Sequence, residues 1–118
     1  MRPPSGTLPS RGEVWTADFG APRGHEQGGT RPALVVSVDP FNHGPAALIV
    51  VAPITSRRKG VVTHVPVDPP EGGVSVPSYV KCEDIRSIAR DRLFRRTGRV
   101  SAATLMQIED RLRMLLGL

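Results

Sequence analysis

Arg31 stands where a glycine-rich stretch, Phe19 to Thr30 (FGAPRGHEQGGT), gives way to a β-branched apolar run, Arg31 to Val38 (RPALVVSV). A strand there anchors the backbone while the side chain can face the loop. A guanidinium so placed suits phosphate, because its planar fork donates two hydrogen bonds at once. Thr55 closes the next apolar run, and its hydroxyl can donate to a phosphate oxygen. Three consecutive cations follow, Arg57, Arg58 and Lys59, a pattern that tracks a phosphate backbone or simply stays solvated. The remaining residues argue by exclusion. His25, His43 and His64 are scattered, the latter two reading as turn and strand-surface residues. The single cysteine, Cys82, can form neither an intrachain disulfide nor a zinc cluster and belongs to packing. There is no H-E-x-x-H, no metal-spaced carboxylate pair and no Walker loop, so no metal and no cofactor is expected.

The overall charge leans the same way. The chain of 118 residues carries a formal net charge of +5, with 14 arginines against 2 lysines. That balance favours a nucleic-acid partner, although a genome-wide preference for Arg over Lys gives the same count. A second basic set, Arg86, Arg90, Arg92, Arg95, Arg96 and Arg99, serves RNA, an acidic protein or mere solubility equally well on this evidence.

Positioning these groups takes one small domain. Residues 1–10 (MRPPSGTLPS) read as a disordered tail, and 11–118 as the domain. Alternation predicts strands at Gly12–Asp18, Arg31–Val38, Ala46–Ile54, Val61–Val67, Ser78–Glu83, Asp84–Ile88 and Leu93–Val100. Pro53 must then lie near a strand end or bulge. Glycine and proline mark 19–30, 39–45, 55–60 and 68–73 as loops or turns. Ser101 is a good N-cap for one helix, whose face carries Leu105, Ile108, Leu112 and Leu115 and which Gly117 stops. The fold class is mainly β with a C-terminal helix: a small SH3-like barrel or curled sheet closed by that helix. No apolar run approaches the ~18 residues of a membrane span, and no signal peptide opens the chain. A cytoplasmic protein without a membrane partner is expected.

Four segments together resemble the MazF/PemK/Kid family of toxin ribonucleases. They are RGEVWTADFG (Arg11–Gly20), GHEQGGTRPALVVS (Gly24–Ser37), VVAPIT (Val50–Thr55) and KCEDIRSIARDRL (Lys81–Leu93). Each is weak alone, but their order and spacing are specific, and the resemblance covers about residues 11–118. It implies a PemK-type barrel, a homodimer, and sequence-selective, metal-independent cleavage of single-stranded RNA. It also implies an antitoxin partner, an acidic and partly disordered protein. A non-enzymatic toxin on the same barrel, like the related gyrase inhibitors, or a plain binding module is the competing reading, because fold does not fix function.

By that resemblance Arg31 and Thr55 match the catalytic pair, and Glu26 the family's loop glutamate. RNA cleaves itself when a 2′-hydroxyl attacks the adjacent phosphate, giving a 2′,3′-cyclic phosphate and a 5′-hydroxyl. The reaction needs a base, an acid and donors for the phosphorane charge. Arg31 is a strong charge stabiliser and a poor base. Glu26 is expected to orient Arg31 or act as base. His25, which falls where relatives often have serine, is auxiliary. These residues leave the proton acceptor unassigned. The expected RNA contacts are Phe19, Gln27, Ser56, Arg57, Arg58, Lys59, Ser78, Glu83 and Arg86, with Phe19 and Tyr79 as stacking candidates and Trp15 assigned to the core.

Overall fold

A computed structural model describes residues 8–24 and 28–118. The first strand, β1 (Glu13–Asp18), alternates as the sequence predicts and feeds two cores at once. Val14 enters one cluster with Leu34, Ala52, Ile54, Val65, Val80 and Ile108. Trp15 and Ala17 enter the other with Ala33, Val35, Ile49, Val51 and Leu93. A strand with both faces buried must lie inside the sheet, and β1 does. It pairs antiparallel with β2 (Thr30–Val35) on one side and β7 (Leu93–Arg99) on the other.

The most apolar run becomes β3 (Leu48–Thr55), the strand with most partners. One edge pairs with β2. The other pairs first with β6 (Arg86–Ala89), up to Val51, and then with β5 (Ser78–Lys81), from Ile54. Pro53 falls in the gap between those two partners, where no neighbour requires the N–H that proline lacks. Strand β4 (His64–Val67) completes the order β4-β5-β3-β2-β1-β7, with β6 alongside β3. The two outer strands, β4 and β7, do not pair, so the curled sheet is an open barrel. The C-terminal helix leaves β7 and packs against β4, covering the first cluster with Ile108, Leu105 and Leu112.

That helix, Ala102–Leu116, is capped as expected. The Ser101 hydroxyl accepts from the Thr104 N–H at 3.1 Å, and Gly117 closes the other end in the left-handed conformation. Leu115 is 40 % exposed, so the buried stripe ends one turn early. A helical turn, α1 (Asp39–Asn42), replaces the plain turn predicted there, making the long C-terminal helix α2. Its start ends β2 at Val35, and the Val36 and Ser37 N–H groups both turn to the Val50 carbonyl. Val61 and Val62 are exposed, so the strand predicted from Val61 begins only at His64. Pro9 is buried and its carbonyl bonds His43, while the Ser10 N–H donates to Glu13, so the folded domain begins before the predicted boundary at residue 10. Cys82 is fully buried, and desolvation pushes its thiol up to about 12, consistent with a packing role. No helix among the described residues is long and apolar enough to cross a membrane.

Candidate active site

The start of β2, the end of β3 and the start of β5 converge at one end of the barrel. Between them lies an open cleft of ≈ 270 Å³, whose walls include Arg31, Pro32, Thr55, Ser56 and Ser78. Arg31 is held by the loop that precedes it, its Nε donating to the Gly28 carbonyl at 2.7 Å. Gly28 is packed so closely on Pro22 that a Cβ there would sit 2.5 Å from the Pro22 nitrogen. The glycine therefore lets the two arms of the loop meet and present that carbonyl. One guanidinium edge is thus fixed, while both terminal nitrogens have no protein partner among the described residues. Thr55 is 9 % exposed and its Oγ1 accepts from the Arg57 N–H at 3.1 Å. With a lone pair so engaged, the hydroxyl proton remains available to donate into the cleft.

Ser78 is also buried, and its hydroxyl donates to the Val76 carbonyl at 2.8 Å. That bond draws residues 74–76 over the cleft as its far wall, with Val74 and Ser75 among the lining residues. The wall depends on Gly73, at φ +76°, where a Cβ would stand 2.2 Å from the Thr97 carbonyl oxygen. The only trace of this wall in the sequence is the pair Gly72-Gly73 ahead of an apolar residue, which marks a close backbone approach.

The structure therefore brings together Arg31, Thr55, Ser56 and Ser78. Arg57, Arg58 and Lys59 leave the cleft on an exposed loop. His25, Glu26 and Gln27 lie outside the described residues. Three expected contacts are placed elsewhere. Phe19 is 7 % exposed within the second core cluster, with the Arg86 guanidinium over its ring at 4.9 Å. With one face under that cation and the rest of the ring packed in the core, Phe19 is not open to a base. One terminal nitrogen of Arg86 also donates to both carboxylate oxygens of Asp84 at 3.0 Å, which ties the side chain to the protein. Glu83 accepts from Thr63 at 2.9 Å and from His64 Nε2 at 2.8 Å. Burial opposes ionisation of Glu83, but the hydrogen bonds from His64, its own backbone and Thr63 outweigh it and hold the carboxyl below its ordinary value. His64 itself is no surface residue. Its side chain is 3 % exposed, because Glu83 gives the ring a partner that permits burial.

Most of the later arginines are spoken for as well. Arg90 donates to the Asn42 and Gly44 carbonyls at 2.9 and 3.2 Å, closing the end of α1. Arg92 reaches the Asp18 carbonyl. Arg96 and Arg99 approach the buried Glu13 carboxylate at 3.1 and 3.9 Å. Arg95 alone of that run has no partner among the described residues.

The family profile of PemK-like, MazF-like toxins of type II toxin–antitoxin systems matches residues 10–116. The endoribonuclease MazF9 of Mycobacterium tuberculosis (strain ATCC 25618 / H37Rv) is 41 % identical over 113 residues, covering 92 % of this chain and 96 % of that protein. Among solved structures, MazF of Deinococcus radiodurans superposes with a TM-score of 0.83 at 32 % identity, covering 94 % of this chain and 98 % of its own. An endoribonuclease from a mycobacterial species, solved in complex with its cognate antitoxin, gives 0.78 at 30 % identity, covering 93 % and 96 %.

Proposed function

The chain belongs to the PemK-like, MazF-like toxins of type II toxin–antitoxin systems, and on that premise we propose that it is an endoribonuclease that cuts single-stranded RNA in the cleft between Arg31 and Thr55. The observation that carries this reading is the half-engaged guanidinium of Arg31. One edge is tied to Gly28, and the terminal nitrogens are left for a ligand in the same cleft as Thr55.

The reaction follows from what these groups can do. The 2′-oxygen of the substrate attacks phosphorus and loses its proton to a base. The P–O5′ bond breaks, and the 5′-oxygen takes up a proton. The ends are a 2′,3′-cyclic phosphate and a 5′-hydroxyl. Because the nucleophile belongs to the substrate, the step requires neither a metal nor a protein nucleophile. Arg31 stabilises the extra negative charge on the equatorial phosphorane oxygens, and Thr55 donates to one of them. Glu26 is cast as orienting group or base, with His25 auxiliary. Ser56, Arg57, Arg58 and Lys59 hold flanking phosphates. The active form is a homodimer acting on mRNA in the cytoplasm, and an acidic antitoxin segment silences it by covering this basic surface.

The experiment is cleavage of a mixed single-stranded RNA in EDTA by the wild type, Arg31→Ala, Glu26→Gln and His25→Ala. The wild type is expected to cut, Glu26→Gln to be strongly impaired and His25→Ala mildly. A wild type that cuts no RNA defeats the reading, and His25→Ala as inactive as Arg31→Ala reverses the ranking of the loop residues.

A further inference from the structure

A second concavity opens beside the cleft, apart from the groups that act on the scissile phosphate. It measures ≈ 390 Å³ and its walls include Arg58, Val61, His64, Pro66, Asp68 and Tyr79. That is enough room for a small-molecule group. Strand register fixes its position. Tyr79 pairs with Thr55 on one side and Pro66 on the other, and opposed residues on neighbouring strands share a face at Cα separations of about 5 Å. Tyr79 is therefore the direct cross-strand neighbour of a residue lining the cleft. Ser78, one step earlier on the same strand, lines the cleft itself. A chain with its phosphate at Thr55 meets this pocket with an adjoining nucleotide.

The side chains say which part of that nucleotide fits. Tyr79 is half-buried and supplies an aromatic wall, on which a base stacks. The Asp68 carboxylate is an acceptor only and repels phosphate. An aromatic wall beside an acceptor-only carboxylate asks for a flat ring carrying N–H donors on its edge. Guanine is the base that sets two such donors side by side, N1–H and the N2 amino group. Arg58, three residues beyond Thr55, is the cation placed to meet the linking phosphate.

We propose that this pocket binds a guanine base of the single-stranded RNA next to the scissile phosphate, with Asp68 reading its N1–N2 edge and Tyr79 stacking on its face. The proposal rests on the ribonuclease reading and adds a sequence preference to it.

Two arms test it on the full chain. In the first, a random-sequence RNA is cut and the sites are mapped for the wild type, Asp68→Asn, Tyr79→Leu and Tyr79→Phe. The wild type shows guanine at one fixed position within about two nucleotides of the cut. Asp68→Asn lowers that preference roughly tenfold, Tyr79→Leu weakens substrate binding roughly tenfold, and Tyr79→Phe retains binding. In the second arm, fully 2′-O-methylated oligonucleotides, which lack the attacking hydroxyl, are titrated by fluorescence anisotropy. Those with guanine bind the wild type more tightly, and Asp68→Asn removes the difference. Circular dichroism melts of each variant guard against misfolding. Wild-type cleavage with no guanine preference, or an unchanged base profile and affinity in both Asp68→Asn and Tyr79→Leu, overturns the pocket while leaving the ribonuclease standing. No cleavage at all, with guanine-selective binding intact, does the reverse.

Discussion

Two groups of arginine divide this molecule by what surrounds them. Arg86, Arg90, Arg92, Arg96 and Arg99 are bound to carboxylates or carbonyls of the protein itself. Arg11 joins them, donating to the Val36 carbonyl and pairing with Glu109 of α2. In contrast, Arg31 lines the cleft, Arg58 lines the neighbouring pocket and Arg57 stands exposed on the loop beside them, and the terminal nitrogens of all three have no partner among the described residues. The difference teaches that a count of basic residues is not a binding surface. An arginine tied to carboxylates or carbonyls of its own fold helps to hold the barrel, and one whose terminal nitrogens are left open beside a cavity is available to a phosphate.

The sharpest way to break that division is to truncate one member of each group. Arg31→Ala is expected to lower kcat/KM by on the order of 10²–10³, with an unchanged urea midpoint. Thr55→Val should follow with a loss of about tenfold to a hundredfold, while Thr55→Ser, which keeps the hydroxyl, stays close to the wild type. Arg90→Ala should do the opposite: urea unfolding shows a loss of about 1–2 kcal/mol from two uncapped carbonyls, and kcat/KM per folded molecule is unaltered. Equal stability loss in Arg31→Ala and Arg90→Ala would erase the distinction.

Smaller effects sharpen it. Arg57→Ala with Arg58→Ala should flatten the salt dependence of RNA binding by roughly 0.7 per phosphate contact removed. Arg96→Ala should leave that slope alone. Glu83 is held below its ordinary carboxylate value of 4.5 in the folded chain, so its contribution to stability is fully present above that pH. The contribution is lost as the pH falls below it, through the folded value, because the unfolded chain then binds the proton more readily. Glu71 behaves in the same sense: burial works against its ionised form, but hydrogen bonds from Thr104 and Ser101 prevail. Chemical denaturation from pH 6 to pH 3 should therefore show stability falling with acid, less steeply in Glu83→Gln.

Much of the barrel was legible because its strands are ruled by local alternation. Trp15, the β3 run, the Ser101 cap and the Gly117 stop are set by neighbours in sequence, and the structure agrees with each. The burial of His64 was not legible, since its ring finds the Glu83 carboxylate, 19 positions away, only once β4 and β5 align. The same holds for Phe19 and Arg86. Their contact depends on packing between the end of β1 and β6, and neither residue's surroundings in the sequence announce it. The cleft was half legible: a glycine-rich loop before Arg31 and a strand end at Thr55 are visible in the chain, whereas the wall at 74–76 follows from the packing of Gly73 on Thr97.

The most direct measurement is end-group analysis of one RNA cut by wild type and by Arg31→Ala in EDTA. Cyclic-phosphate and 5′-hydroxyl ends from the wild type, with cutting by a fully folded Arg31→Ala slowed by on the order of a hundredfold or more, are the predicted result. Ends bearing 5′-phosphate, or wild-type rates in Arg31→Ala, would contradict it.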